Sequence, residues 1–235
     1  MLKFFSLFIL ISFIPQIYSQ STSQKFDDAM TAYHNQQYAQ SNRLFEEFFN
    51  EYKIVDEVYA TAKYYSAESL LKLGRKDEAA IGFEYLTKTY NWSNYRDKAL
   101  YNLGLIYFNS GKYDLSRSRL KLLLNDYPES DFYGNSLYWV GESFSSENKP
   151  KEAIQFLEEA VADKRNKKYA DYSLYALANA YEQVGDYNNA VKYYDQLLTY
   201  HKSSTLATSS QIRIGICYFK LKDYQSSIVE LKSPR

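Results

Sequence analysis

One pattern constrains this chain more than any total does: a unit of about 37 residues written six times. In residues 100–128, LYNLGLIYFNSGKYDLSRSRLKLLLNDYP, two apolar stripes at helical spacing flank Asn109-Ser110-Gly111. Counterparts of Gly111 stand at Gln36, Gly74, Asn148, Gly185 and Lys222, spaced 38 residues apart once and 37 thereafter. Seven residues before each anchor comes a small residue: Ala29, Ala67, Gly104, Gly141, Ala178 or Gly215. Glycine inside a helix costs about 1 kcal/mol against alanine, so Gly104 predicts a close approach of two helices. Enlarging such a site costs about 1–3 kcal/mol in strain. Gly111 suits the left-handed residue that ends a helix.

Other positions keep the same register. Phe26, Tyr64, Tyr101, Tyr138, Tyr175 and Ile212 stand ten residues before the anchors. Ser41, Ala79, Ser116, Ala153, Ala190 and Ser227 stand five after them. The following stripe carries Phe45, Phe83, Leu120, Leu157, Tyr194 and Leu231. Each unit therefore reads as helix, short turn, helix, with an apolar stripe that only stacking on neighbours buries. Composition agrees: 26 Tyr and 14 Phe against 8 Gly and 4 Pro fit helices packed through amphipathic rings, whereas an all-β chain needs more turn residues. The balanced 28 basic and 28 acidic residues give no electrostatic reason to expect nucleic acid or anionic membrane as partner.

The first residues read as an export signal. Lys3 precedes an apolar run from Phe4 to Ile14, Pro15 breaks it, and Ile17-Tyr18-Ser19 offers a cleavage site before Gln20. The run is well short of the ~20 residues a membrane-crossing helix needs. Residues 1–19 are thus expected to be removed, and the protein to be periplasmic or secreted. Cys217 is the single cysteine, so no intramolecular disulfide forms, and no cysteine lies near the cleavage site to carry a lipid.

Tyr101, Leu103, Gly104, Tyr107, Gly111, Tyr113, Ser116, Leu120 and Pro128 resemble the repeat of the tetratricopeptide family: its aromatic, Leu-Gly, Tyr, turn Gly, Tyr, small, apolar and final Pro. The resemblance covers residues 24–232 and implies an all-α, right-handed α-solenoid of about six helix pairs. The repeats fall at about 22–59, 60–96, 97–133, 134–170, 171–207 and 208–235. The period is 37 where the family commonly has 34. Phe48, Leu86, Leu123 and Leu197 replace the usual small residue of the second helix, which Ala160 alone keeps. Long repeats with Tyr127-Pro128-Glu129-Ser130-type junctions resemble periplasmic members, including the Tol–Pal accessory protein and the lipoprotein of the outer-membrane β-barrel assembly machine. The chain departs from the first in having no coiled coil before its repeats, and from the second in having no lipidated cysteine.

Chemistry-bearing motifs are scarce. His34 and His201 occupy unlike positions of repeats one and five, and no two His or Cys residues share a helix face at ligand spacing, so no metal is expected. Asp27/Asp28, Glu46/Glu47 and Glu158/Glu159 are adjacent in sequence and diverge on a helix. No Gly-rich phosphate loop or nucleophile motif occurs. The expectation is a non-enzymatic protein without cofactor. Lys164-Arg165-Asn166-Lys167-Lys168 reads as a solvated loop between repeats. Asn91-Trp92-Ser93 matches a glycosylation acceptor, of consequence only in a eukaryotic secretory pathway, and Cys217 reads as a small buried hydrophobe.

The resemblance also supplies a candidate site. In the family, repeat positions five, nine and twelve of the first helices face the concave side. Position five gives Tyr64, Tyr101, Tyr138 and Tyr175; position nine gives Glu68, Leu105, Glu142 and Asn179; position twelve gives Leu71, Phe108, Ser145 and Glu182. Of these, Tyr64, Tyr101, Leu105, Phe108, Tyr138, Glu142, Tyr175 and Asn179 form the expected partner groove. A tyrosine ladder suits an extended peptide, its rings packing apolar groups while the hydroxyls bond backbone. The competing reading packs the same rings between repeats. The carboxylate clamp of chaperone-binding members needs Lys and Asn at such positions and is disfavoured by the tyrosines. The expected function is a protein-interaction scaffold of the cell envelope, in outer-membrane biogenesis or with the Tol–Pal system; the alternative is a glycan- or peptidoglycan-binding module that stacks sugars on the tyrosines. Finally, the sixth unit's second helix stops at Leu231-Lys232. This predicts an uncapped end at Ile212, Ile216, Phe219 and Ile228, open to a partner or a second copy, or a chain shortened from a longer repeat protein.

Overall fold

The computed structural model describes residues 23–232; the expected signal segment and Ser233-Pro234-Arg235 lie outside the described residues. Twelve α-helices and no strand run through the described residues. They are α1 (residues 23–34), α2 (Tyr38–Glu51), α3 (Glu57–Lys72), α4 (Lys76–Thr89), α5 (Arg96–Asn109), α6 (Tyr113–Asp126), α7 (Tyr133–Ser145), α8 (Pro150–Ala162), α9 (Ala170–Gln183), α10 (Tyr187–Tyr200), α11 (Ala207–Lys220) and α12 (Tyr224–Lys232). Odd and even helices alternate as first and second members of six pairs.

Every pair turns at the predicted anchor. Gln36, Gly74, Gly111, Asn148, Gly185 and Lys222 all take left-handed φ, between 58° and 83°. At each, two backbone bonds close the first helix: Lys112 N–H to the Tyr107 carbonyl and Gly111 N–H to that of Phe108, for example, both at 2.9 Å. This doubly bonded ending satisfies carbonyls that a helix end otherwise leaves unpaired. Residues with a Cβ are disfavoured in this conformation by about 1–2 kcal/mol. Lys222→Gly, at an exposed anchor, is therefore expected to stabilise the protein by ~0.5–1 kcal/mol; a lower melting temperature would contradict this.

The small residues sit where predicted and follow a finer rule. Sixteen residues after each stands the bulky residue of the second helix. Gly is paired with Leu (Gly104/Leu120, Gly141/Leu157, Gly215/Leu231), Ala with an aromatic (Ala29/Phe45, Ala67/Phe83, Ala178/Tyr194). A Cβ added at Gly141 would lie 2.5 Å from Leu157 Cγ, and one at Gly215 2.6 Å from Leu231 Cγ. Leucine branches at Cγ, next to the passing backbone, and needs the glycine; a planar ring tolerates the methyl. Ser41, Ser116 and Ser227 tie the same helices together, their hydroxyls donating to the carbonyls of Ala29, Gly104 and Gly215 at 2.8–3.0 Å.

The described residues form two compact units, divided between Ala99 and Leu100. In the first, Ala29, Phe45, Phe48, Phe49 and Ala62 make one core cluster, and Phe83 and Leu86 are also fully buried. In the second, core clusters gather around Leu120 and Leu123, around Leu157 and Leu177, and around Tyr194 and Ile214. Ile212, Phe219 and Ile228 are exposed and Ile216 half-buried. Cys217 is buried, and burial pushes its thiol up to about 12.

The basic run corrects one expectation. Only its three lysines are exposed. Asn166 is buried and donates to the Ala160 carbonyl at 3.0 Å and the Ser173 hydroxyl at 2.7 Å. Gly134 makes room for it: a Cβ there would lie 2.7 Å from the Asn166 nitrogen. Arg165 pairs with Asp163 and donates to the Pro128 carbonyl at 2.5 Å. Two of the five residues of the run, Arg165 and Asn166, therefore form a structural junction.

Candidate functional site

The position-five tyrosines are placed by packing between repeats. Tyr64, Tyr101 and Tyr138 are only 5–6% exposed. Each stacks on the ring thirty-one residues later, which leads into the next first helix: Tyr64 on Tyr95 at 4.7 Å, Tyr101 on Phe132 at 4.8 Å, and Tyr138 on Tyr169 at 4.9 Å. The exposed ladder expected from the sequence is thus covered at three of its four rungs. Leu105 packs beside the Leu120 cluster, and Phe108 meets Tyr113 and Trp139 edge-on at 5.4 and 4.7 Å. Tyr175 breaks the series. It is half-buried against Tyr194 at 5.4 Å, and the residue thirty-one positions on is Leu206.

The structure brings four of the expected residues, Tyr138, Glu142, Tyr175 and Asn179, around one cavity between α7 and α9. Its volume is about 310 Å³, and Ser145, Tyr172, Ala176, Gln183 and Leu206 complete most of its wall. A comparison with the preceding repeat explains why the space is open. There Phe108, Trp139 and Tyr169 fill the corresponding face, Trp139 lying 4.7 Å from Phe108 and 5.3 Å from Tyr169. One repeat later the same three positions hold Ser145, Ala176 and Leu206. Three rings have been replaced by smaller side chains at once. Ala176 and Leu206 are the residues that the family positions did not point to; the loss of aromatics at 37-residue spacing was their signal.

Glu142 gives the cavity its electrostatic character. It is the one charged residue in the wall. Burial lifts its carboxyl from the usual range to about 7, and no neighbouring charge contributes. Burial, with Glu142 close by, also pushes the Tyr138 hydroxyl upward. Across the cavity Asn179 accepts a hydrogen bond from Gln183 at 2.8 Å, leaving its own amide hydrogens for a ligand. Among the described residues no group of three or more His, Cys, Asp or Glu is placed to hold a metal, and no helix is long and apolar enough to cross a membrane.

Six helix pairs, repeating one left-handed turn and one small-against-bulky contact, define a helical-repeat protein of the α-solenoid class. Family models described as tetratricopeptide repeat match residues 26–90, 98–130 and 173–205, together more than half of the chain. The chain belongs to the tetratricopeptide repeat family. Among solved structures it is similar to MamA (17% identity, TM-score 0.64, covering 74% of this chain and 88% of that one). It is also similar to PilF of Pseudomonas aeruginosa (15%, 0.63, 92% of both). A third relative is YrrB, described as a TPR protein with an unusual peptide-binding site (15%, 0.61, 73% and 82%). At these identities what is shared is the fold. No curated protein matches the chain in sequence.

Proposed function

We propose that this chain is an exported, non-enzymatic interaction scaffold of the cell envelope whose α7–α9 cavity receives an extended polypeptide. The observation that carries the reading is the cavity itself: a concavity of about 310 Å³, opened by three coordinated aromatic-to-small replacements and flanked by amide side chains able to bond a peptide backbone. The description of YrrB as peptide-binding supports this choice of ligand. The signal-like first nineteen residues support export, and the long repeats with the periplasmic-type Tyr127-Pro128 junction support a place in outer-membrane biogenesis or alongside the Tol–Pal system. Sugar stacking is the weaker reading, because three of the four tyrosine faces are already occupied by other rings.

Selection of random twelve-residue peptides on the mature chain tests the cavity, with Ala176→Trp as the closed form. The indole at the equivalent Trp139 is accommodated in the neighbouring repeat, so the variant is expected to fold. Selected peptides should bind it at least about tenfold more weakly, a difference of about 1.4 kcal/mol. Equal binding, or no selectable peptide, would contradict the reading. Cell fractionation with N-terminal sequencing tests export: the mature protein should begin within two residues of Gln20, and a membrane form retaining residues 4–14 would contradict it.

A further inference from the structure

The Glu142 carboxylate is not used by the packing of its own repeat. The corresponding residue of the preceding repeat is Leu105, which packs against that repeat's core. Three other acids of the same unit have cationic partners, Glu147 with Arg117 and Lys149, Asp163 with Arg165, and Glu182 with Arg213, while Glu158 and Asp171 accept from the hydroxyls of Tyr181 and Ser204. The Glu142 carboxyl makes no ion pair or hydrogen bond among the described residues, and no Lys, Arg or His shares the cavity wall. Glu142 is half-buried, and a carboxylate partly withdrawn from water without a partner is costly, so such charges are normally paired or neutralised. Its displacement toward neutrality, to about 7, follows from desolvation with no cation beside it.

The surroundings narrow what that counter-charge is. Tyr172 is exposed and Tyr175 half-buried in the wall of the same space, and aromatic faces attract cations, Arg and Lys above all. Asp171, whose carboxylate accepts a 2.6 Å bond from Ser204, is also acidic and acts on Tyr138. The cavity, about 310 Å³, is at the small end of ligand pockets, about 300–1,000 Å³, which suits one side chain. An acidic side chain or chain end would meet a wall with no cation.

We propose that the α7–α9 cavity is a subsite for the basic side chain of a bound extended polypeptide, with Glu142 taking the ammonium or guanidinium beside the rings of Tyr172 and Tyr175. The inference rests on the reading of the cavity as a polypeptide site and names the residue it selects. The charge logic is the reverse of a carboxylate clamp: here the protein supplies the anion.

The test uses the mature chain at pH 8 and capped peptides taken from the selection above, varied at the strongest-selected position to Lys, Arg, norleucine or Glu. Lys and Arg peptides should bind at least about tenfold more tightly than norleucine, with Glu weakest. In Glu142→Gln the advantage over norleucine should fall to about twofold or less. Norleucine bound as well as Lys in the wild type, or a Lys preference that survives Glu142→Gln, would overturn the basic subsite and leave peptide binding standing. Failure of every peptide would overturn both. Butylamine or methylguanidine binding as tightly as the peptides would overturn the polypeptide assignment in favour of a small-amine site. The norleucine comparison uses wild-type protein, so it decides the question even where the variant folds poorly.

Discussion

Gly141→Leu is expected to lower the melting temperature by several degrees, and Gly141→Ala by less. The Cβ alone would meet Leu157 Cγ at 2.5 Å and Cδ2 at 2.6 Å, and Leu157 is fully buried. Overpacking of this kind costs about 1–3 kcal/mol, occasionally more, and each kcal/mol is worth about 2–4 °C in a protein of this size. The pairing rule supplies a rescue. Leu157→Phe should recover part of the loss in Gly141→Ala, because Ala29 with Phe45 and Ala67 with Phe83 already occupy equivalent places. A double-mutant cycle by thermal melting should return a favourable coupling of ~0.5–1 kcal/mol or more. Gly141→Leu melting within a degree of wild type would refute the helix register.

Glu142→Gln is expected to stabilise the unliganded protein above neutral pH while weakening ligand binding. The sign follows from linkage. Burial raises the folded carboxyl from 4.5 to about 7, so the unfolded chain gives up this proton more readily than the folded one. Any stability that the protonated form contributes is fully present below about pH 4.5, is lost as pH rises toward 7, and stays lost above it. The amide does not titrate. The stability difference between the Glu142→Gln variant and the wild type should therefore grow in favour of the variant between pH 4.5 and 7, by up to ~3 kcal/mol. Denaturant melts at pH 4.5 and pH 8 check this; a difference that does not change with pH would show that Glu142 is ordinarily solvated. A functional group that lowers stability is the usual stability–activity compromise.

The repeat was legible because its constraints fall on single residue types. A left-handed turn selects Gly or Asn at most anchors, and a close helix crossing selects Gly or Ala seven residues earlier, so both survive as strict periodicities. The pairing of Gly with Leu and Ala with rings was equally available at sixteen-residue spacing. The orientation of the tyrosines was harder to read. Apolar periodicity identifies the inward half of a helix but does not separate the ring facing a groove from the ring facing the next repeat. The partners Tyr95, Phe132 and Tyr169, thirty-one residues on, held that information. The cavity was written as a local departure, with Phe108, Trp139 and Tyr169 giving way to Ser145, Ala176 and Leu206, and it has meaning only once those positions are known to meet. The role of Asn166 rests on backbone clearance at Gly134, which no charge pattern encodes.

The most direct measurement is the side-chain carboxyl resonance of Glu142, followed by carbon-13 NMR through a pH titration of the mature chain, free and saturated with a Lys-containing selected peptide. The account predicts a midpoint near 7 in the free protein and a fall into or below the ordinary carboxylate range when the basic side chain is bound, since an adjacent cation favours the ionised form. A free carboxyl titrating near 4.5, or a raised midpoint that saturating peptide leaves unchanged, would contradict it.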